Sequence, residues 1–260
     1  MTAYTRVLMC HAPIVIKEIA GDNFPMVKKT HSAMQLAAEY FVSQKPDIAI
    51  VVSPHTPRLA DQFVVINSER LTGSFAEFGH SELPVDLPNA KSDIAKLAQE
   101  VSAQGATLNA NYAPRLDHGA LVPLHFLVEA GWQGKTMVVG FPHQFDLGAA
   151  ISLGRAIQAF IKKTGQHVGL VASGDMSHRL RPGAPAGYSP QARQFDRYIV
   201  DALAKGDLGG AVAVDDRLRD EAAEDIIDSL AVCYGLDSSM KGDFYSYEGP
   251  FGVGYAVAVL

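Results

Sequence analysis

With 260 residues, 48% of them hydrophobic and 19% charged, the chain has the composition of a folded globular protein and not of a disordered one. A net charge of −6 leaves no basic footprint for a phosphate backbone, so no nucleic acid is expected as a partner and a small molecule is. The opening MTAYTRVLMC lacks the cationic start and apolar core of a signal peptide, and no apolar run reaches the roughly 18 residues that span a bilayer; no membrane association and a cytoplasmic location are expected.

Along the chain, short runs dense in Val, Ile and Ala alternate with longer segments of helical period, and most switches are marked by Pro or Gly. Residues 5–13 read as a strand that ends in a histidine. Residues 24–45 carry apolar positions at mostly three- and four-residue spacing and predict a helix packed on a sheet. A second strand over 46–57 again ends in a histidine, and a third is expected over 61–69. The stretch 71–88, with Gly73, Gly79 and two prolines, reads as an irregular loop. Helices follow over 91–104 and 118–132, the latter with Pro123 placed in its first turn, where a missing N–H does little harm. Then come a strand over 135–142, a helix closed by Gly165, and a strand in HVGLVASGD. Helices are predicted over 190–205, 207–214 and 219–234, before a closing β segment interrupted by Gly249 and Pro250. With no repeat and no linker, this alternation predicts one α/β domain over 1–260: a mixed, largely parallel sheet with helices on both faces.

In such folds ligands bind beyond the carboxyl ends of the strands. Three of the nine histidines fall at strand ends: His11, His55 and His178. A fourth, His118, sits at a helix entry. Three strand ends each delivering a histidine to one sheet edge point to a shared pocket. Imidazole is a common ligand for Fe, Zn, Cu and Ni, and two histidines with one carboxylate leave coordination positions open. The acidic run RDEAAEDIIDSL offers Glu221, Glu224 and Asp228, which share a helical face by spacing or form a solvated one. His143 is an outside candidate for a pocket role. The two cysteines, Cys10 and Cys233, lack a C-x-x-C pairing, which argues against a disulfide framework or a thiolate zinc site.

The ordered set MCHAPI at 9–14, SPHTP at 53–57, LDHGALVPL at 116–124, VASGDMSHRL at 171–180 and YEGPFGVGYAVA at 247–258 resembles the class III extradiol ring-cleaving dioxygenase superfamily. The resemblance is to its catalytic, subunit-B-like domain, of the type also found fused to AMMECR-type domains, with MEMO-like proteins as relatives. It implies Fe(II), with Mn or Zn as alternatives, held by His11, His55 and a late glutamate. Glu224 is the expected residue and Glu221 the alternative. It also implies His178, in the Gly-Asp-x-Ser-His motif, as acid/base, and His118 as a second active-site histidine that contacts substrate or oxygen. Asp175 would orient His178 or cap its loop. Cys233 is a poor match for the cysteine that replaces the glutamate in MEMO-like proteins.

The implied activity is O2-dependent ring cleavage of a catechol-like or aminophenolic substrate. A metal-dependent hydrolase and a non-catalytic binding protein on the same fold are the alternatives. A homo-oligomer or a partner subunit is expected.

Overall fold

The computed structural model describes residues 4–260. In chain order the elements are β1 (Tyr4–Met9), α1 (Lys17–Ala20), α2 (Lys28–Ser43), β2 (Ile48–Ser53), β3 (Phe63–Ile66), β4 (Arg70–Phe75), β5 (His80–Pro88), α3 (Lys91–Ala103), β6 (Leu108–Tyr112) and α4 (His118–Glu129). They continue with β7 (Lys135–Gly140), α5 (Leu147–Thr164), β8 (Val168–Ser173), α6 (Ala192–Ala204), α7 (Leu208–Val212), α8 (Asp216–Ala222), α9 (Ile227–Leu236), β9 (Phe244–Glu248) and β10 (Tyr255–Val259). Eight strands form one mixed sheet in the order β6-β3-β7-β2-β8-β1-β10-β9. Its centre, β7-β2-β8-β1, is parallel, whereas β10 runs antiparallel to β1 and β3 antiparallel to β7.

The central strands β2 and β8 are buried at every position because helices cover both faces. Along β2, Ile48, Ile50 and Val52 enter the core shared with α3, α5 and α9, while Ala49 and Val51 enter the core shared with α2 and α4. The alternation follows from the two-residue period of a strand. Close packing is tight enough that a Cβ on Gly169 of β8 would fall 2.2 Å from the Phe41 ring.

Four local expectations change. The helix expected from residue 24 starts at Lys28, after a 3-10 segment, Gly21–Met26, that contains Pro25. The stretch 71–88 is not an irregular loop but the β4–β5 hairpin, separate from the main sheet. Leu71, Phe75, Val85 and Leu87 form its buried face against α4, and prolines are tolerated because β5 pairs only with β4. The short strand β6, Leu108–Tyr112, escapes a reading based on β-branched runs, because its Asn-rich sequence pairs only with β3 at the sheet edge. Finally, the helix expected over 219–234 is two helices, α8 and α9. Ala223 between them adopts φ 50°, a left-handed conformation that costs a non-glycine residue about 1–2 kcal/mol.

Candidate metal centre

Strand register builds the site. Met9 of β1 lies opposite Ser173 of β8, and Val52 of β2 opposite Ala172, so three adjacent parallel strands end at one level. The residues just beyond them, His11, His55 and Asp175, therefore reach the same edge of the sheet. His118 joins from the first turn of α4. The nitrogen donors of His11, His55 and His118 lie within 4.8 Å of one another. The Nε2 atoms of His11 and His55 are 3.1 Å apart.

A carboxylate completes this group, and it is Asp225. Its Oδ2 is 3.4 Å from His11 Nε2 and 3.3 Å from His55 Nε2. Glu224, the residue expected there, is not brought to the histidines. Its side chain is 1% exposed, its Oε1 accepts from Arg219 Nε at 2.6 Å, and its Oε2 accepts the N–H groups of Ile226 and Ile227 at 2.8 and 2.9 Å. The physical reason is the break at Ala223. Leaving the helical path turns two consecutive side chains in opposite directions, Glu224 onto the start of α9 and Asp225 onto the histidines. Glu221 is elsewhere again, accepting from Ser189 Oγ at 2.8 Å, and Asp228 pairs with Arg219 at 2.9 Å. A cavity of about 530 Å³, lined by Phe145, Leu147, Arg219 and Glu224 among others, borders this same segment. None of the histidines lines that cavity.

Hydrogen bonds fix which nitrogen carries a proton in two of the rings, His11 and His178. Ser173 Oγ donates its one proton to the Gly119 carbonyl and lies 3.0 Å from His11 Nδ1, so it accepts from that nitrogen. Nδ1 of His11 is thus protonated and its Nε2 faces His55 and Asp225. His178 Nδ1 lies 2.8 Å from the Ala223 carbonyl, an acceptor only, which again places the proton on Nδ1 and leaves the lone pair on Nε2. Asp117 ties the His55 loop to α4. Its Oδ1 accepts from Ser53 Oγ at 2.8 Å and the Ala120 N–H at 3.1 Å, its Oδ2 from Thr56 Oγ1 at 2.8 Å. Gly119 lets these parts meet, since a Cβ there would stand 2.5 Å from Ser53 Oγ and 3.1 Å from the His55 ring.

Asp175 serves His11 and not His178: its Oδ1 accepts the His11 backbone N–H at 2.9 Å, while its own N–H donates to Asp225 Oδ1 at 2.7 Å. The His178 segment is held from behind by Asp196, which accepts from Ser177 N–H at 2.9 Å and from the Tyr247 hydroxyl at 2.5 Å. Tyr255 is buried in the core. His143 is exposed, and its N–H donates to the Leu59 carbonyl at 2.7 Å. Cys233 is buried within α9.

Electrostatics suit a cation. Burial opposes a charged imidazolium at His11, yet Asp175 and Asp225 outweigh it and lift the ring to about 9. Burial would raise the Asp225 carboxyl, but His11 and His55 hold it well below the ordinary carboxylate range. Carboxylates that draw a proton to Nε2 draw a metal ion there in its place. His118 is pushed down to about 4, by burial first and then by the charges of His55 and His11. The donor set also passes a test of size. Donors held by one ion at about 2.0–2.2 Å, with right-angle to tetrahedral openings between them, stand roughly 2.8–3.6 Å apart. The two nitrogens and one carboxylate oxygen here are 3.1, 3.3 and 3.4 Å apart.

Comparison with known proteins gives a consistent result. The family model described as the catalytic LigB subunit of aromatic ring-opening dioxygenase matches residues 5–258. Protein CA_C1420 of Clostridium acetobutylicum is 28% identical over 264 residues, a match covering 97% of this chain and 56% of that protein, so the chain spans about half the length of this relative. The crystal structure of the uncharacterized protein JW3007 from Escherichia coli K12 shares the fold, with a TM-score of 0.65, 17% identity and 98% of each chain covered. Among the described residues no helix is long and apolar enough to cross a membrane. The chain belongs to the family of the catalytic LigB subunit of aromatic ring-opening dioxygenases.

Proposed function

We propose that this protein is a non-haem Fe(II)-dependent extradiol dioxygenase that opens a catechol-like or aminophenolic ring with O2. The observation that carries the reading is the convergence of His11 Nε2, His55 Nε2 and Asp225 Oδ2 within 3.4 Å of one another. Two imidazoles and one carboxylate on one face form the ligand pattern of non-haem iron oxygenases. Asp225 takes the role expected of Glu224. Iron held by His11, His55 and Asp225 would supply the Lewis-acid and oxygen-activating chemistry of the reaction.

The chain's own residues handle protons and orientation. His178, whose Nε2 lone pair is free while Nδ1–H is tied to the Ala223 carbonyl, removes a hydroxyl proton from the substrate and later returns it. His118, held neutral in its half-buried position, offers a hydrogen bond to substrate or oxygen without adding positive charge. Both atoms of O2 end in the ring-opened product, so the reaction needs no external reductant.

The test is anaerobic reconstitution with Fe(II), followed by oxygen uptake with catechol, 4-methylcatechol and 2-aminophenol. One iron per chain, oxygen consumption and a yellow ring-opened product are expected. Bound iron with no turnover across that panel overturns the reading. The grouping of His11, His55 and His118 favours a second reading, a zinc hydrolase, since three imidazoles and a water form a common catalytic zinc site. Zinc-supported hydrolysis that proceeds without oxygen identifies that case.

A further inference from the structure

We infer that Pro123, buried inside α4 and remote in sequence from His11, is a positioning residue that fixes the tautomer of His11. The inference rests on the reading of His11 as a metal ligand through Nε2. Pro123 is not in the first turn of α4 but six residues into it, where a proline has a structural cost: it has no N–H to give to the carbonyl four residues back. That carbonyl belongs to Gly119. It does not stay unpaired, because Ser173 Oγ, from the end of β8, donates to it.

Ser173 has a single hydroxyl proton, and committing it to Gly119 decides what its oxygen does for His11. The oxygen accepts, so His11 Nδ1, 3.0 Å away, donates. The consequence travels through the ring: with the proton on Nδ1, the lone pair sits on Nε2, beside His55 and Asp225. An amino acid with an N–H at position 123 would offer Gly119 the ordinary helical partner. Ser173 would then be free to turn its proton toward His11 Nδ1. That arrangement favours the proton on Nε2 and removes the lone pair from the metal side. The interruption of the helix and the ligating form of His11 are thus linked by two hydrogen bonds, both buried. Groups that orient a ligating histidine typically contribute 10–100-fold to metal affinity.

The decisive measurement is Zn(II) affinity by chelator competition in wild type, P123A, P123V, S173A and the double variant P123A/S173A, with the melting temperature of each metal-free protein recorded alongside. P123A and P123V share an N–H but differ in side chain. Both should bind zinc about 10-fold more weakly than wild type, and P123A should do so with no fall in melting temperature, because alanine is the better helix former. S173A should lose affinity as well, and the double variant should bind no worse than S173A alone, since both changes cut the same relay. Wild-type affinity in both Pro123 variants, or losses that add in the double variant, overturns the inference. A wild-type protein that binds no zinc or iron at all overturns instead the reading of His11 as a ligand, and the relay falls with it.

Discussion

The two halves of the candidate metal centre are built by opposite means. His11 and His55 stand at the ends of adjacent parallel strands, where hydrogen-bonded register sets their level and any sequence that makes the strands delivers them. Asp225 stands in a gap between two helices, delivered by the left-handed backbone of Ala223 and held by its neighbours. The first half depends on regular structure and the second on an interruption of it. Regularity is distributed over many residues and tolerates local change, whereas the interruption depends on a few side chains and is where the site is most easily broken.

The largest effect follows from removing the carboxylate itself. Asp225→Ala should reduce metal content in protein purified with Fe(II) or Zn(II), and activity should fall by more than the roughly 10–100-fold typical of a supporting residue. Glu224→Ala should leave some metal bound. The reverse order, with metal retained in the Asp225 variant and lost in the Glu224 variant, would reassign the ligand. Next in size is His178→Ala, which removes the proposed proton carrier, whose Nδ1 bonds the Ala223 carbonyl. Metal content should match wild type while kcat falls about 10²–10⁴-fold, the usual contribution of general acid/base transfer. Loss of metal in that variant would make His178 a ligand and not a base.

The same contrast explains what could be read from the sequence. His11, His55 and the Gly174–His178 segment were legible because an apolar run followed by small residues and a histidine is the one-dimensional image of a strand end. The carboxylate was not, because spacing arguments assume a continuous helix, and over 219–234 that assumption groups Glu221, Glu224 and Asp228 on one face. A break at an alanine leaves no Gly or Pro to announce it, and the turn it introduces exchanges the surroundings of Glu224 and Asp225. The hairpin over 70–88 was hidden for a related reason: its prolines and glycines suppress a strand reading that its buried alternation, Leu71 with Phe75 and Val85 with Leu87, supports. Pro123 reads as harmless in the first turn of a helix over 118–132, yet it stands six residues into α4, where its missing N–H leaves the Gly119 carbonyl to Ser173 Oγ.

The interruption can be weakened without touching a ligand. Glu224→Gln keeps the shape of the side chain but replaces an ionic partner of Arg219 and a charged acceptor for the N–H groups of Ile226 and Ile227. Removing one partner of a buried pair is costly, because Arg219 is left to Asp228 and to the fully exposed Asp216, 3.9 Å away. Metal affinity should drop about 10-fold, in the range for groups that orient a ligand, and the melting temperature should fall with it. Unchanged affinity would show that Asp175 alone, through its N–H to Asp225 Oδ1, suffices to hold the carboxylate.

The smallest expected effect lies on the outer wall, where the hairpin meets the histidines. Phe78, at the hairpin tip, is 40% exposed, with its ring 6.1 Å from that of His118, which in turn stands 4.2 Å from His55. Away from the tip, β4 is drawn tight onto α4 and the segment before it: the Leu116 N–H donates to the Thr72 carbonyl, and a Cβ on Gly73 would fall 2.7 Å from Leu121. An aromatic ring placed at the tip with a free face offers a flat substrate an apolar contact, worth about 0.5–1.5 kcal/mol beyond burial for a pair of rings. Phe78→Ala should therefore raise KM for a catechol roughly 3–10-fold while kcat and metal content hold, because the contact is made equally to substrate and transition state. Phe78→Lys should shift preference from 4-methylcatechol toward 3,4-dihydroxybenzoate, whose carboxylate the new charge attracts. If both variants keep the wild-type KM and preference, the substrate lies away from the hairpin, on the side of the His178 segment and the 223–226 break, and the specificity of the site belongs to the interrupted half and not to the regular one.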